Sequence, residues 1–76
     1  MATSEDWADR ARRFLKQQLA SQGVTYIELA KRLRRYGFEE TEASITNKLK
    51  RGNFTAKFLF ASLEAIGVKD VRLSDI

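Results

Sequence analysis

Six polar side chains fall within eight consecutive positions: Ser44, Thr46, Asn47, Lys48, Lys50 and Arg51. An Asn amide can pair with N6 and N7 of adenine, and a Ser hydroxyl can meet a donor or an acceptor edge. Lys and Arg neutralise phosphate. At 100° per residue from Ile45, Asn47 lies at about 200° and Arg51 at about 240°. Ala43, Lys50 and Ser44 lie at about 160°, 140° and 260° on the same scale. Ile45 and Leu49 sit one turn apart on the opposite side. The segment therefore predicts a helix with an apolar inner edge and an outer face of Ala43, Ser44, Asn47, Lys50 and Arg51, flanked by Thr46 and Lys48. Such a helix suits the major groove of DNA.

Other chemistry has little to build on. The chain has no Cys and no His, so the usual metal ligands and the commonest general base are missing. No phosphate-binding Gly loop exists, and no carboxylate–Lys pair falls in an evident pocket. The sequence predicts binding rather than catalysis, with no metal and no cofactor.

The polar helix needs partners to hold it. Pro is absent, and four Gly residues, Gly23, Gly37, Gly52 and Gly67, fall at the ends of four segments with helical apolar spacing. These are positions where a left-handed residue closes a helix. The first helix is expected over 5–22, capped by Ser4 or Thr3, with Trp7, Ala11, Phe14, Leu15, Gln18 and Leu19 in one stripe. The second starts at Thr25, where Thr25 and Glu28 have the spacing of a capping box. Tyr26, Leu29, Ala30 and Leu33 face inward, and Lys31, Arg32, Arg34 and Arg35 point mostly outward. A turn follows over 36–40. Thr41 caps the third helix, residues 42–51. The fourth begins after Thr55 and ends near Ile66, its inner stripe made of Phe58, Leu59, Ser62, Leu63 and Ile66, with Phe54 and Leu59 placed as a hydrophobic staple. Residues 68–76 read either as an extended piece or as a fifth short element.

Seventy-six residues make one domain spanning 1–76. A chain of this size buries only about 60% of its unfolded surface, so stability is modest and dimerisation is one route to more. An apolar fraction of 43% and eight aromatics still allow a core. Trp7 and the Phe residues are expected in it, except Phe60, which falls off the inner stripe. No apolar run is long enough to span a bilayer and no signal peptide is visible; a cytoplasmic, nucleoid-associated location without membrane contact is expected.

The formal charge is +4, and its distribution is informative. Residues 25–57 carry eight basic and four acidic side chains, and the rest of the chain carries six of each. The whole excess lies in the second and third helices and their surroundings, as a polyanion-binding surface requires. A plain solvated surface would account for the charge alone.

These features together resemble the lambda-repressor-like (Cro/Xre-type) helix-turn-helix family. Residues 23–30, Gly-Val-Thr-Tyr-Ile-Glu-Leu-Ala, resemble its opening helix. Ala30 stands where that family has a small residue at a close helix crossing. Residues 45–52 resemble the close of its recognition helix, and residues 53–55 and 63–68 its next helix and exit. The motif would occupy about residues 25–51. The resemblance implies an all-α, four-helix helix-turn-helix domain that binds double-stranded DNA sequence-specifically, as a small transcriptional regulator of phage or mobile-element type. It implies base contacts from Asn47 and Ser44, with Ala43 against a thymine methyl. Lys48, Lys50, Arg51 and Asn53 would meet phosphates, Thr46 would flank them, and Lys57 would reach the backbone. Thr25 and Tyr26 would bind a phosphate at a helix N-terminus. A homodimer through the last helix and tail, around Phe60, is also implied. Between Leu33 and Ile45 the chain is about five residues longer than is usual for that family, a variant similar to small uncharacterised bacterial proteins of unknown function. Glu39, Glu40 and Glu42 beside the recognition helix oppose DNA, so a protein-interaction module on the same scaffold stands as the alternative.

Overall fold

The computed structural model describes residues 3–76. Within them lie four α-helices, two short 3-10 turns and no strand. The helices are α1 (Ser4–Gln22), α2 (Tyr26–Leu33), α3 (Glu42–Arg51) and α4 (Ala56–Ala65). The expected all-α class and four helices are present.

All four helices start at a threonine. Thr3, Thr25, Thr41 and Thr55 each adopt extended backbone and accept the N–H of the residue three positions on. That bond satisfies one of the free donors of a first turn. The reciprocal bond forms at Thr3 with Asp6 and at Thr41 with Ser44. At Thr25 it does not, which corrects the expected Thr25–Glu28 box. Thr25 accepts from the Glu28 N–H at 3.1 Å, but the Glu28 carboxylate turns to Arg32, whose Nε donates at 3.0 Å. An ion pair one turn along, in which both partners are charged, takes the carboxylate from the backbone amide.

Twelve apolar side chains are buried in one core: Phe14, Leu15 and Leu19 from α1; Val24; Leu29, Ala30 and Leu33 from α2; Ile45 and Leu49 from α3; Phe58, Leu63 and Ile66 around α4. The helix α2 packs on α3 and α4, and α1 packs on the same two. Gly52 ties α1 to the end of α3. Its φ of +71° favours glycine, and a Cβ there would lie 2.7 Å from the Ala8 carbonyl oxygen.

One local expectation changes. Trp7 has the right angle for the core stripe, yet it is 52% exposed, with the Arg10 guanidinium 4.2 Å over its ring. At that level α1 rests on Gly52 through Ala8, and the large indole overhangs the packed region, which begins at Phe14. Phe54, placed by the sequence as a staple residue, packs its ring on Phe58 with centroids 5.5 Å apart. The inner stripe of α4 also buries Ser62 without a hydrogen-bond partner for its hydroxyl.

The long turn combines two devices. A 3-10 turn, Arg34–Tyr36, first prolongs α2. Gly37 then closes it in left-handed conformation, and residues 38–41 run without regular structure to the α3 cap. Phe38 anchors this stretch edge-on to Phe58, 6.3 Å between centroids. The tail stays irregular to a 3-10 turn, Leu73–Asp75, and the Arg10 Nε donates to the Ile76 carbonyl at 3.0 Å.

Candidate nucleic-acid interface

The orientation of α3 is fixed by burial. Ile45 and Leu49 are fully buried, and burying a side chain of that size is worth about 1.5–3 kcal/mol. Rotating the helix would expose both. Ala43, Thr46, Asn47, Lys50 and Arg51 are therefore held on the solvent side, and all five are exposed.

A cleft runs from the outer face of α3 to the start of α4. Ser44, Asn47, Lys48, Arg51 and Asn53 line it, together with Phe54 and the cap Thr55. Five of the eleven residues expected to contact DNA are thus brought together. Ala43, Thr46 and Lys50 lie on the same helix but outside the cleft lining. Thr46 turns its hydroxyl back to the Glu42 carbonyl, donating at 2.8 Å. Lys57 borders a neighbouring cleft with Glu39, Glu40, Lys48 and Phe58. Thr25 and Tyr26 stand apart at the start of α2, with Thr25 exposed and Tyr26 half-buried.

Two of the expected residues are tied to Glu40. The Ser44 hydroxyl accepts the Thr41 N–H at 2.9 Å and lies 2.6 Å from Glu40 Oε1, to which it donates. The Lys48 ammonium is 3.2 Å from both carboxylate oxygens of Glu40 and 5.6 Å from the Phe58 ring centroid. Glu40 itself has a side chain only 10% exposed. Sequence reasoning treated Glu40 as a neighbouring repulsive charge and missed this role. The available signal was its place one residue before the Thr41 cap, four before Ser44 and eight before Lys48.

The other cations between residues 25 and 57 divide among three places, with Arg34 at a cleft beside Gly37 and Glu39. Among the described residues, Lys50, Arg51 and Lys57 form no ion pair, and neither do Lys31, Arg34 and Arg35. The first group belongs to α3 and the beginning of α4. Lys31 and Arg35 instead border a separate cleft with Glu28, Arg32 and Tyr36 beside Ala65, at the far end of α4. Arg32 is committed there, bonded to Glu28 and donating to the Ala65 carbonyl at 3.3 Å.

Residues 7–71 match the family described as a domain of unknown function, DUF6471, and the chain belongs to that family. No curated protein and no solved structure matches it.

Proposed function

We propose that this member of the family is a sequence-specific double-stranded DNA-binding protein, acting as a small transcriptional regulator in the cytoplasm at the nucleoid. In this reading α2, the long turn and α3 form a lambda-repressor-like helix-turn-helix, and α3 enters the major groove. The observation that carries it is the cleft between α3 and α4, where Asn47 and Arg51 stand exposed above a helix pinned by Ile45 and Leu49. Asn47 reads a base edge, with Ala43 and Thr46 beside it. Lys50, Arg51, Asn53 and Lys57 meet phosphates and fix register. Thr25 and Tyr26 present the positive end of α2 to a further phosphate.

The test is fluorescence anisotropy with a mixed-sequence duplex of about 20 base pairs, titrated with salt. Micromolar binding that weakens steeply with salt supports the reading, and the slope counts phosphate contacts. Selection of an operator from random duplexes then tests specificity. Absence of binding at about 50 mM salt sinks the proposal. That outcome would favour a protein-interaction module, a role to which the acidic Glu39 ahead of α3 and Glu42 at its start are suited.

A homodimer is part of the same proposal. Phe60 is 66% exposed and Leu73 82% exposed, and both border an apolar groove with Val71 and Ile76. Two-fold pairing there would present two copies of α3 to half-sites about 34 Å apart.

A further inference from the structure

We propose that Glu40 is a positioning residue that withdraws Lys48 and Ser44 from the DNA-facing surface, and so limits how strongly and how selectively α3 binds. The inference rests on the DNA-binding reading above and deepens it. Its ground is geometric. Lys48 lines the same cleft as Asn47 and Arg51, but both oxygens of one carboxylate hold its ammonium at 3.2 Å. The same carboxylate accepts from Ser44 at 2.6 Å. A nearly buried acid with two partners is a fixed arrangement, unlike the exposed i,i+4 pair of Glu28 and Arg32.

The long turn explains how the acid gets there. The 3-10 turn, the left-handed Gly37 and the Phe38 anchor on Phe58 deliver residue 40 to the flank of α3. The extra residues therefore act on the reading helix without touching DNA. With Ser44 and Lys48 withdrawn, recognition narrows to Asn47 and its exposed neighbours, and one cation is removed from phosphate contact. In the free protein the Lys48 charge is already neutralised, so it releases no counterion on binding.

The experiment compares wild type, Lys48→Ala, Glu40→Gln and Glu40→Gln/Lys48→Ala in the salt-titrated anisotropy assay. Lys48→Ala alone leaves the salt slope unchanged. Glu40→Gln frees the ammonium, raises affinity for a mixed-sequence duplex several-fold, and steepens the slope by about 0.9, one phosphate contact. The double variant returns to the wild-type slope. Partial unfolding lowers affinity, so a gain cannot arise from structural damage. A drop in slope for Lys48→Ala overturns the inference, because Lys48 would then already touch phosphate. An unchanged slope for Glu40→Gln also overturns it. If Glu40→Gln does not fold, the Lys48→Ala result still decides. Wild-type binding combined with either adverse result removes this inference alone, whereas a wild type that binds no duplex removes the DNA-binding reading and this inference together.

Discussion

At the scale of single residues, Asn47 and Arg51 share a cleft yet have different chemistry. An amide can make a two-point contact with one base, so its loss is felt at that base. A guanidinium on phosphate is indifferent to sequence. Asn47→Ala is expected to cost about 1–3 kcal/mol on the selected operator and little on mixed-sequence DNA. Arg51→Ala is expected to weaken every duplex alike and to lower the salt slope by about one. Binding curves on both duplexes at two salt concentrations separate these outcomes; equal losses for both variants on both duplexes would show the roles to be misassigned. Asn47 and Arg51 were legible in the sequence because their exposure follows from helical periodicity around Ile45 and Leu49. Ser44 lies on the same outer face by angle, but angle says nothing about whether a hydroxyl is free. It is engaged both by the local Thr41 cap, whose N–H it accepts, and by Glu40, which reaches it through an irregular turn that no periodicity describes.

At the scale of elements, the ends of the helices were the most legible feature, because a cap is a local bargain between one side chain and one turn. Thr41 and Thr55 do what their positions predict, and Thr25 caps its helix without the expected return bond from Glu28. Trp7 was misread for the opposite reason. Its stripe position is local, but burial depends on how far the neighbouring helices extend alongside α1. Two substitutions test the end structures by thermal unfolding. Thr41→Ala removes the hydroxyl that accepts the Ser44 N–H and caps α3, while the reciprocal bond from the residue 41 backbone N–H to the Ser44 hydroxyl can persist; it is expected to destabilise by about 1 kcal/mol. For a domain this small that corresponds to a fall in Tm of about 4–8 °C. Gly52→Ala combines a positive φ with a Cβ 2.7 Å from the Ala8 carbonyl oxygen. Strain at such a position costs about 1–3 kcal/mol before the contact with backbone is relieved, so its fall in Tm is expected to exceed that of Thr41→Ala. A Gly52→Ala protein as stable as wild type would mean that α1 is not seated against the end of α3.

At the scale of the whole molecule, the excess charge predicted by the sequence is present but divided. Lys50, Arg51 and Lys57 lie near the start of α4, and Lys31 and Arg35 lie beside its end. Ten residues of helix separate these sites by about 15 Å along the axis. Arg51→Glu should therefore abolish duplex binding while Arg35→Glu weakens it modestly through the general field. A larger effect at Arg35 would place the duplex on α2 instead of α3. The apolar groove by the tail supplies the remaining global question, that of assembly. Phe60 is 66% exposed, and substitutions at surface sites usually change stability by less than about 0.5 kcal/mol. Phe60→Glu is thus a clean probe of pairing, since it places a charge in a two-fold contact without disturbing the fold. Sedimentation equilibrium is expected to give a dimer for wild type and a monomer for Phe60→Glu, with the same Tm under dilute conditions. The variant should bind a single half-site as wild type does, and lose affinity only for duplexes carrying two half-sites one helical turn apart, because linking two recognition helices raises the effective concentration of the second. A monomeric wild type at all concentrations would remove the dimer and leave each chain to read DNA alone.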